Sequence, residues 1–414
     1  MSVKRLVDAL APGLRVWAPT LSNESSLFTD ELRADPERAR EVTFAGVQFP
    51  GIDRADYLAL HPQARQRGWF MSPALRRGLR EGRAELLPQD YREIARHLEA
   101  DAPYDVAIAQ LTPPDADGWC APGLAADFVP LVWRQARRRV AHLNPALPRI
   151  ASSFRVHVSE LDYSVEADAP LNDFPDSAPG ATELRIGEHV AALVRDGDTL
   201  QFGVGGVPLS LARALTSHRR LRFHGGMLSS SVQTLWEAGA MDPDAQLTTG
   251  VVLGDARLRA FVAELPRLWL ADVRHTHNPT HIATLPGFVA VNGAVEVDLF
   301  GQVNSERAGG VIQAGAGGLP AFAQGALESK GGRSLICLPA TAKGGTVSRI
   351  VPALDKQSLV TLPRYLVDAV VTEHGLAQLR GLSMAARAQA LIAIAAPEHR
   401  PALSSAWDEI ARTL

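Results

Sequence analysis

The segment LRFHGGMLSSSV, residues 221–232, gathers groups able to do chemistry where an apolar, strand-like run gives way to a helical pattern. His224 carries an imidazole whose ordinary pKa lies near neutrality, so it can take or release a proton as a general base. Gly225 and Gly226 follow it and bring no side chain; the run is expected to break at this pair. Ser229, Ser230 and Ser231 lack the G-x-S-x-G turn that exposes a serine nucleophile. Ser230 or Ser231 is expected to cap the next helix.

A second cluster, RHTHNPTHI, holds His275, His277 and His281. On an extended segment the first two share a face, a spacing that permits a metal, but no carboxylate or cysteine partner is evident and no metal is expected. Four glycine-rich segments stand where a strand meets a helix: GVGGVP at 203–208, HGGM at 224–227, AGAGG at 314–318 and TAKGGTVSR at 341–349. Glycines let backbone approach a ligand closely, and exposed N–H groups bind anionic oxygens, so four such segments point to an extended anionic ligand. Pro208 replaces the third glycine of a dinucleotide fingerprint, and no G-x-x-x-x-G-K-[ST] occurs, so a dehydrogenase and a P-loop are both disfavoured. Glu296 and Asp298 alternate with Val295, Val297 and Leu299, which predicts a strand with both acids on its polar face. Glu24, Glu306 and Glu373 are further acids without decisive spacing.

The elements that must position these residues read as α/β with largely parallel sheets, because short β-rich runs alternate with helical patterns. EVTFAG, DVAIAQL and RRVAHL read as strands in the first half. TLQF, LRFH and LTTGVV read as strands in the second, with PLSLARALTSH, SVQTLWEAGA and DARLRAFVAEL as helices between and after them. The Pro-, Asp- and Ala-rich stretch from Tyr163 to Glu183 reads as a linker. At 414 residues the chain exceeds one hydrophobic core, and the expected domains are 1–175 and 176–414. A formal net charge of -3 gives no reason to expect nucleic acid or membrane as a partner. With no leader pattern, no long apolar run and two cysteines only, a cytoplasmic protein without a disulfide framework is expected.

The stretch FVAVNGAVEVDLFGQVNSERAGGVIQAGAGGLPAFAQGALESKGGRSLICLPATAKGGTVSRIVP, continued by DAVVTEHGLAQLRGLSMAARAQALIAIAAPEHR and preceded by DGDTLQFGVGGVPLSLARAL, resembles the acetyl-CoA hydrolase/transferase family. Weaker matches, GWFMSPALR and QLTPPDADGWC, extend the likeness through the N-terminal half. The resemblance implies two CoA-transferase-like open-sheet α/β domains with the active cleft between them. It implies coenzyme A or an acyl-CoA as substrate or ligand rather than a tightly bound cofactor, a carboxylic acid as acceptor, and a homo-oligomer.

In that family a glutamate in an HTEM- or YTEV-like motif attacks the thioester and carries CoA covalently. The matching residues here are HGGM, so the glutamate position falls on Gly226 and its preceding threonine on Gly225. Loss of that side chain is expected to open space for a bulkier acyl group or for water. His224 and, at a position where the family has an oxyanion-donating asparagine, His277 with Asn278 beside it are the candidate catalytic groups. Gly203, Gly205, Gly206, Gly225, Gly226, Gly315, Gly317 and Gly318 are expected to border the ligand; Lys343, Gly344, Gly345 and Arg349 are expected to meet CoA phosphates. Three activities remain open: a thioester reaction that bypasses glutamyl-CoA, non-catalytic acyl-CoA binding, and conventional transfer on a different carboxylate.

Overall fold

The computed structural model describes residues 4–414. Contacts divide the chain into two compact units, one of residues up to Pro175 together with Gln246–Thr276, the other of Asp176–Ala245 together with His277–Leu414. Both are α/β, as the alternation of strand and helix patterns predicts.

In the first unit a sheet runs in the order Ala84–Leu86, Arg65–Gly68, Thr43–Ala45, Arg15–Trp17, Val106–Leu111, Arg138–Leu143, Tyr163–Glu166, with every pairing parallel. Val106–Leu111 is buried along its whole length, as expected for a parallel strand covered on both faces. One side of the sheet packs Phe28, Phe44 and Tyr57; the other packs Trp17, Trp69, Tyr91 and Trp133. The expected linker begins later than its composition suggested, because Tyr163–Glu166 pairs in register with Val140–Leu143 as the edge strand. Only the stretch after it, up to Gly180, lacks regular structure. Asp127, with φ 32° and nearly full burial, lies in this unit. Burial, with Asp272 beside it, pushes its carboxyl up to about 8.

In the second unit Thr199–Phe202 is flanked by Arg222–Leu228 on one side and Phe288–Gly293 on the other, followed by Arg333–Cys337 and Ala369–Thr372 in parallel and Gly375–Gln378 antiparallel. The chain leaves the central strand toward one edge and returns on the other side, so the order reverses between Thr199–Phe202 and Phe288–Gly293. That reversal opens a crevice at the carboxyl ends of the strands. Register there is pinned at the opposite ends by Arg333, whose guanidinium donates to both oxygens of Asp198 at 3.0 and 2.8 Å.

Three sequence expectations change. Arg222–Leu228 runs straight through Gly225 and Gly226 as one strand, and neither takes a left-handed φ. The helix that follows spans Ser230–Glu237 and its cap is Ser229, whose hydroxyl makes no capping bond. Asp298 is fully buried rather than on a polar face, because its carboxylate accepts from Phe300 N, Gln302 N and Gln302 Nε2 at 3.1, 2.8 and 2.8 Å.

Candidate active site

His224, Gly226, His277 and Gly318 meet in the second unit, at the carboxyl end of Arg222–Leu228. His224 and Gly226 are two residues apart on that strand and so face the same side. His277 precedes the helix Pro279–Thr284, which Asn278 caps by accepting from Thr280 N at 3.0 Å. Gly318 caps the helix Leu319–Glu328. The His277 ring fills the space these three elements leave: a Cβ on Gly226 would stand 2.9 Å from His277 Cε1 and 3.0 Å from Nε2, and one on Gly318 would stand 2.5 Å from Nε2. Phe322 closes the slot, with its ring centroid 4.5 Å from that of His277.

This overturns the expectation of vacated space. The volume a side chain at 226 would enter is filled by imidazole, and His277 is only 2% exposed. Burial, with Phe322 against the ring and His224 as a second influence, pushes His277 down to about 3, so at neutral pH the ring is uncharged. A neutral imidazole keeps one N–H and can donate to a developing negative charge without carrying a charge of its own. His224 is buried, 5.2 Å ring to ring from His281. Burial also lowers the pKa of His281. In the other unit His275 packs edge-on against Trp269, ring centroids 4.9 Å apart.

The glycine segments divide by what surrounds them. At Gly203 and Gly205 a Cβ would meet nothing within 4 Å, so the turn after the central strand is open. At Gly206 it would meet Glu183 Cγ at 2.8 Å; this glycine lets the helices Ala181–Ala191 and Gly206–Ala214 approach closely. Gly225 looks away from His277 toward Phe223. Gly315 and Gly317 lie in the loop before the Leu319–Glu328 helix. Lys343, Gly344, Gly345 and Arg349 lie elsewhere in the unit, on the hairpin Thr341–Ala342/Val347–Ser348 and just beyond it. Sequence reasoning passed over the pair Gln201 and Asn292, which bridges the crevice with Asn292 Nδ2 donating to Gln201 Oε1 at 3.0 Å. Two lone amides on separate strands give no spacing signal.

The family models for the acetyl-CoA hydrolase/transferase N-terminal and C-terminal domains match residues 34–172 and 254–407. A 4-hydroxybutyrate coenzyme A transferase of Clostridium kluyveri is 36% identical over 346 residues, covering 82% of this chain and 81% of the relative. The chain belongs to the acetyl-CoA hydrolase/transferase family. The fold agrees: the crystal structure of a 4-hydroxybutyrate CoA-transferase from Porphyromonas gingivalis superposes with TM-score 0.82 at 30% identity, over 99% of this chain and 96% of that one. An acetyl-CoA hydrolase of Kluyveromyces lactis is 30% identical over 256 residues, 56% of this chain and 47% of its own length. The acetyl-CoA hydrolase/transferase family thus includes both outcomes for the thioester, and this member is an enzyme of the CoA-transferase or acyl-CoA hydrolase kind. Its slot beside Gly226 holds an imidazole and no carboxylate. Among the described residues no helix is long and apolar enough to cross a membrane.

Proposed function

We propose that this enzyme cleaves or transfers acyl-CoA thioesters without passing through a glutamyl-CoA intermediate, with direct hydrolysis as the leading reaction. The observation that carries the reading is the His277 ring, whose Cε1 stands 2.9 Å from where a Cβ on Gly226 would be. In hydrolysis a water oxygen bonds to the thioester carbonyl carbon, the C–S bond breaks, and the water's proton ends on the departing thiolate, giving acid and free CoA. His224 is the base that takes the proton from water and returns it to sulfur. His277 N–H, with the Asn278 amide as a further donor, supports the oxyanion. A pKa near 3 makes His277 a poor base but a constant donor across the physiological range.

The open turn at Gly203 and Gly205, the Gly315–Gly318 loop and the His277 ring seated by Gly226 border the acyl-CoA in this reading, and CoA is substrate rather than resident cofactor. A carboxylic acid is the acceptor where transfer competes with hydrolysis, as the names of the relatives suggest. The family likeness also supports a cytoplasmic homo-oligomer. Two acids of this unit are already engaged: Glu306 accepts from Thr361 Oγ1 at 2.8 Å, and Glu296 from Asn304 Nδ2 at 2.9 Å. That favours water over these two carboxylates as the nucleophile.

A single turnover in heavy-oxygen water tests the reading. Direct attack places the heavy oxygen in the released acid. Attack by an enzyme carboxylate gives the acid an enzyme oxygen and leaves the label on the protein, which would refute the proposal.

A further inference from the structure

The sheet of the first unit has a reversal of its own. Arg15–Trp17 is the pivot: from it the chain steps outward to Ala84–Leu86, then returns as Val106–Leu111 on the other side. Such a reversal opens a crevice beyond the carboxyl ends of the two strands. A cavity of about 20 Å³ lies there, lined by Trp17 and Leu21 after the first strand, Leu111 at the end of the second, and Asp127, Phe128 and Val129. That is room for one water-sized group.

The amides lining this crevice are engaged: Gln110 Nε2 donates to Asn23 O at 3.2 Å, and Asn23 Nδ2 to Ala125 O at 3.2 Å. Asp127 differs. It is only 6% exposed, yet among the described residues nothing donates a hydrogen bond to its carboxyl and no cation pairs with it. Its main chain is tied on both sides, by Ala126 N to Gly250 O at 3.0 Å and by Val273 N to Asp127 O at 3.1 Å, and these bonds hold it at φ 32°. Left-handed backbone costs energy for a residue with a side chain, and such strain clusters at ligand sites. The neighbouring Asp272 is already neutralised by Arg274, whose Nε and Nη2 donate to its two oxygens at 3.1 and 2.8 Å.

We infer that this crevice binds the ammonium of a small primary amine, with the Asp127 carboxylate as its counter-ion. A buried carboxyl without a donor is costly, and an ammonium supplies donors and the missing charge together. Aromatic surface from Trp17 and Phe128 suits a cation, and the cavity has room for a primary ammonium but not for a trimethylated one. Without a cation beside it Asp127 is protonated at neutral pH, because burial, with Asp272 nearby, raises its carboxyl to about 8. An arriving ammonium keeps its own protons and stabilises the carboxylate, so the carboxyl O–H breaks and its proton leaves to solvent. An alcohol of the same shape releases none. The site works the same way whether or not a glutamyl-CoA intermediate forms.

Calorimetry of the intact protein at pH 7, in two buffers of different ionisation heat, tests it with n-propylammonium, 1-propanol and tetramethylammonium as probes. Propylammonium is expected to bind with release of about one proton and to be preferred over 1-propanol about tenfold. Tetramethylammonium is expected not to bind. Asp127→Asn keeps the shape and removes the charge, and is expected to abolish both the proton release and the tenfold preference. The comparison of probes on the unaltered protein needs no variant, so it decides the matter even where Asp127→Asn fails to fold. Equal binding of propylammonium and 1-propanol without proton release, no saturable binding of propylammonium, or a preference that survives in folded Asp127→Asn overturns the inference.

Discussion

Gly226 and His277 form a matched pair: the glycine has no side chain where the imidazole needs room, and the imidazole stands 2.9 Å from where a Cβ would begin. Gly318 completes the fit from the other side, its own Cβ position 2.5 Å from His277 Nε2 and 2.9 Å from Phe322. A side chain at 226 requires the His277 ring to give way.

Gly318→Ala is therefore expected to destabilise the protein by about 2 kcal/mol through overpacking. His277→Ala leaves a cavity with a cost of similar size. Together the two changes should cost less than their sum, since the new methyl enters the space the ring has left. A double-mutant cycle in urea measures the coupling; strict additivity would show that His277 does not fill the slot.

Introducing a carboxylate at 226 alone is not expected to produce covalent catalysis. Gly226→Glu must displace His277, so the single variant should lose stability and gain no transfer of CoA to a carboxylic acid. Gly226→Glu combined with His277→Ala makes room for the glutamate, and only this pair should yield a CoA adduct on residue 226. Exchange assays with labelled acid, read beside melting temperatures, separate the two outcomes.

Acid should weaken the fold through His277. Its folded pKa, about 3, lies below the ordinary value of 6.5, so between these values the unfolded chain binds a proton that the native state refuses. Stability then rises with pH across that window, and on the order of 2 kcal/mol is lost by pH 5. His277→Gln should flatten that part of the profile in chemical denaturation; an unchanged slope would contradict it.

Asp127 acts in the opposite sense. Its folded pKa, about 8, stands above the ordinary value of 3.8, so the native state holds a proton that the unfolded chain has released. Its contribution is fully present below 3.8 and is lost as pH rises toward 8. Asp127→Asn should therefore be relatively more stable near pH 8 than near pH 4, when compared with the unaltered protein. Denaturation midpoints at the two pH values decide it.

Much of the architecture was legible because strand and helix periods alternate cleanly. Val106–Leu111, Thr199–Phe202 and Leu247–Val252 fall on apolar runs bounded by turn residues. The continuation of Arg222–Leu228 through Gly225 and Gly226 was hidden, since residues without side chains show no alternation and glycine suits an extended backbone as well as a turn. Asp298 misled for a related reason: its sequence neighbours do not reveal the donors at Phe300 and Gln302 that satisfy it in the interior. Within the site, the absence of a side chain at 226 was visible in HGGM, but the ring that fills the space beside it was not. Residues 226, 277 and 318 meet only through the tertiary fold, and no local pattern records that two glycines flank one ring.

The most direct measurement is intact and peptide mass spectrometry of the enzyme trapped during turnover of an acyl-CoA. The account predicts an unmodified chain while acid and free CoA accumulate. Coenzyme A found in thioester linkage to any aspartate or glutamate of this chain would contradict it.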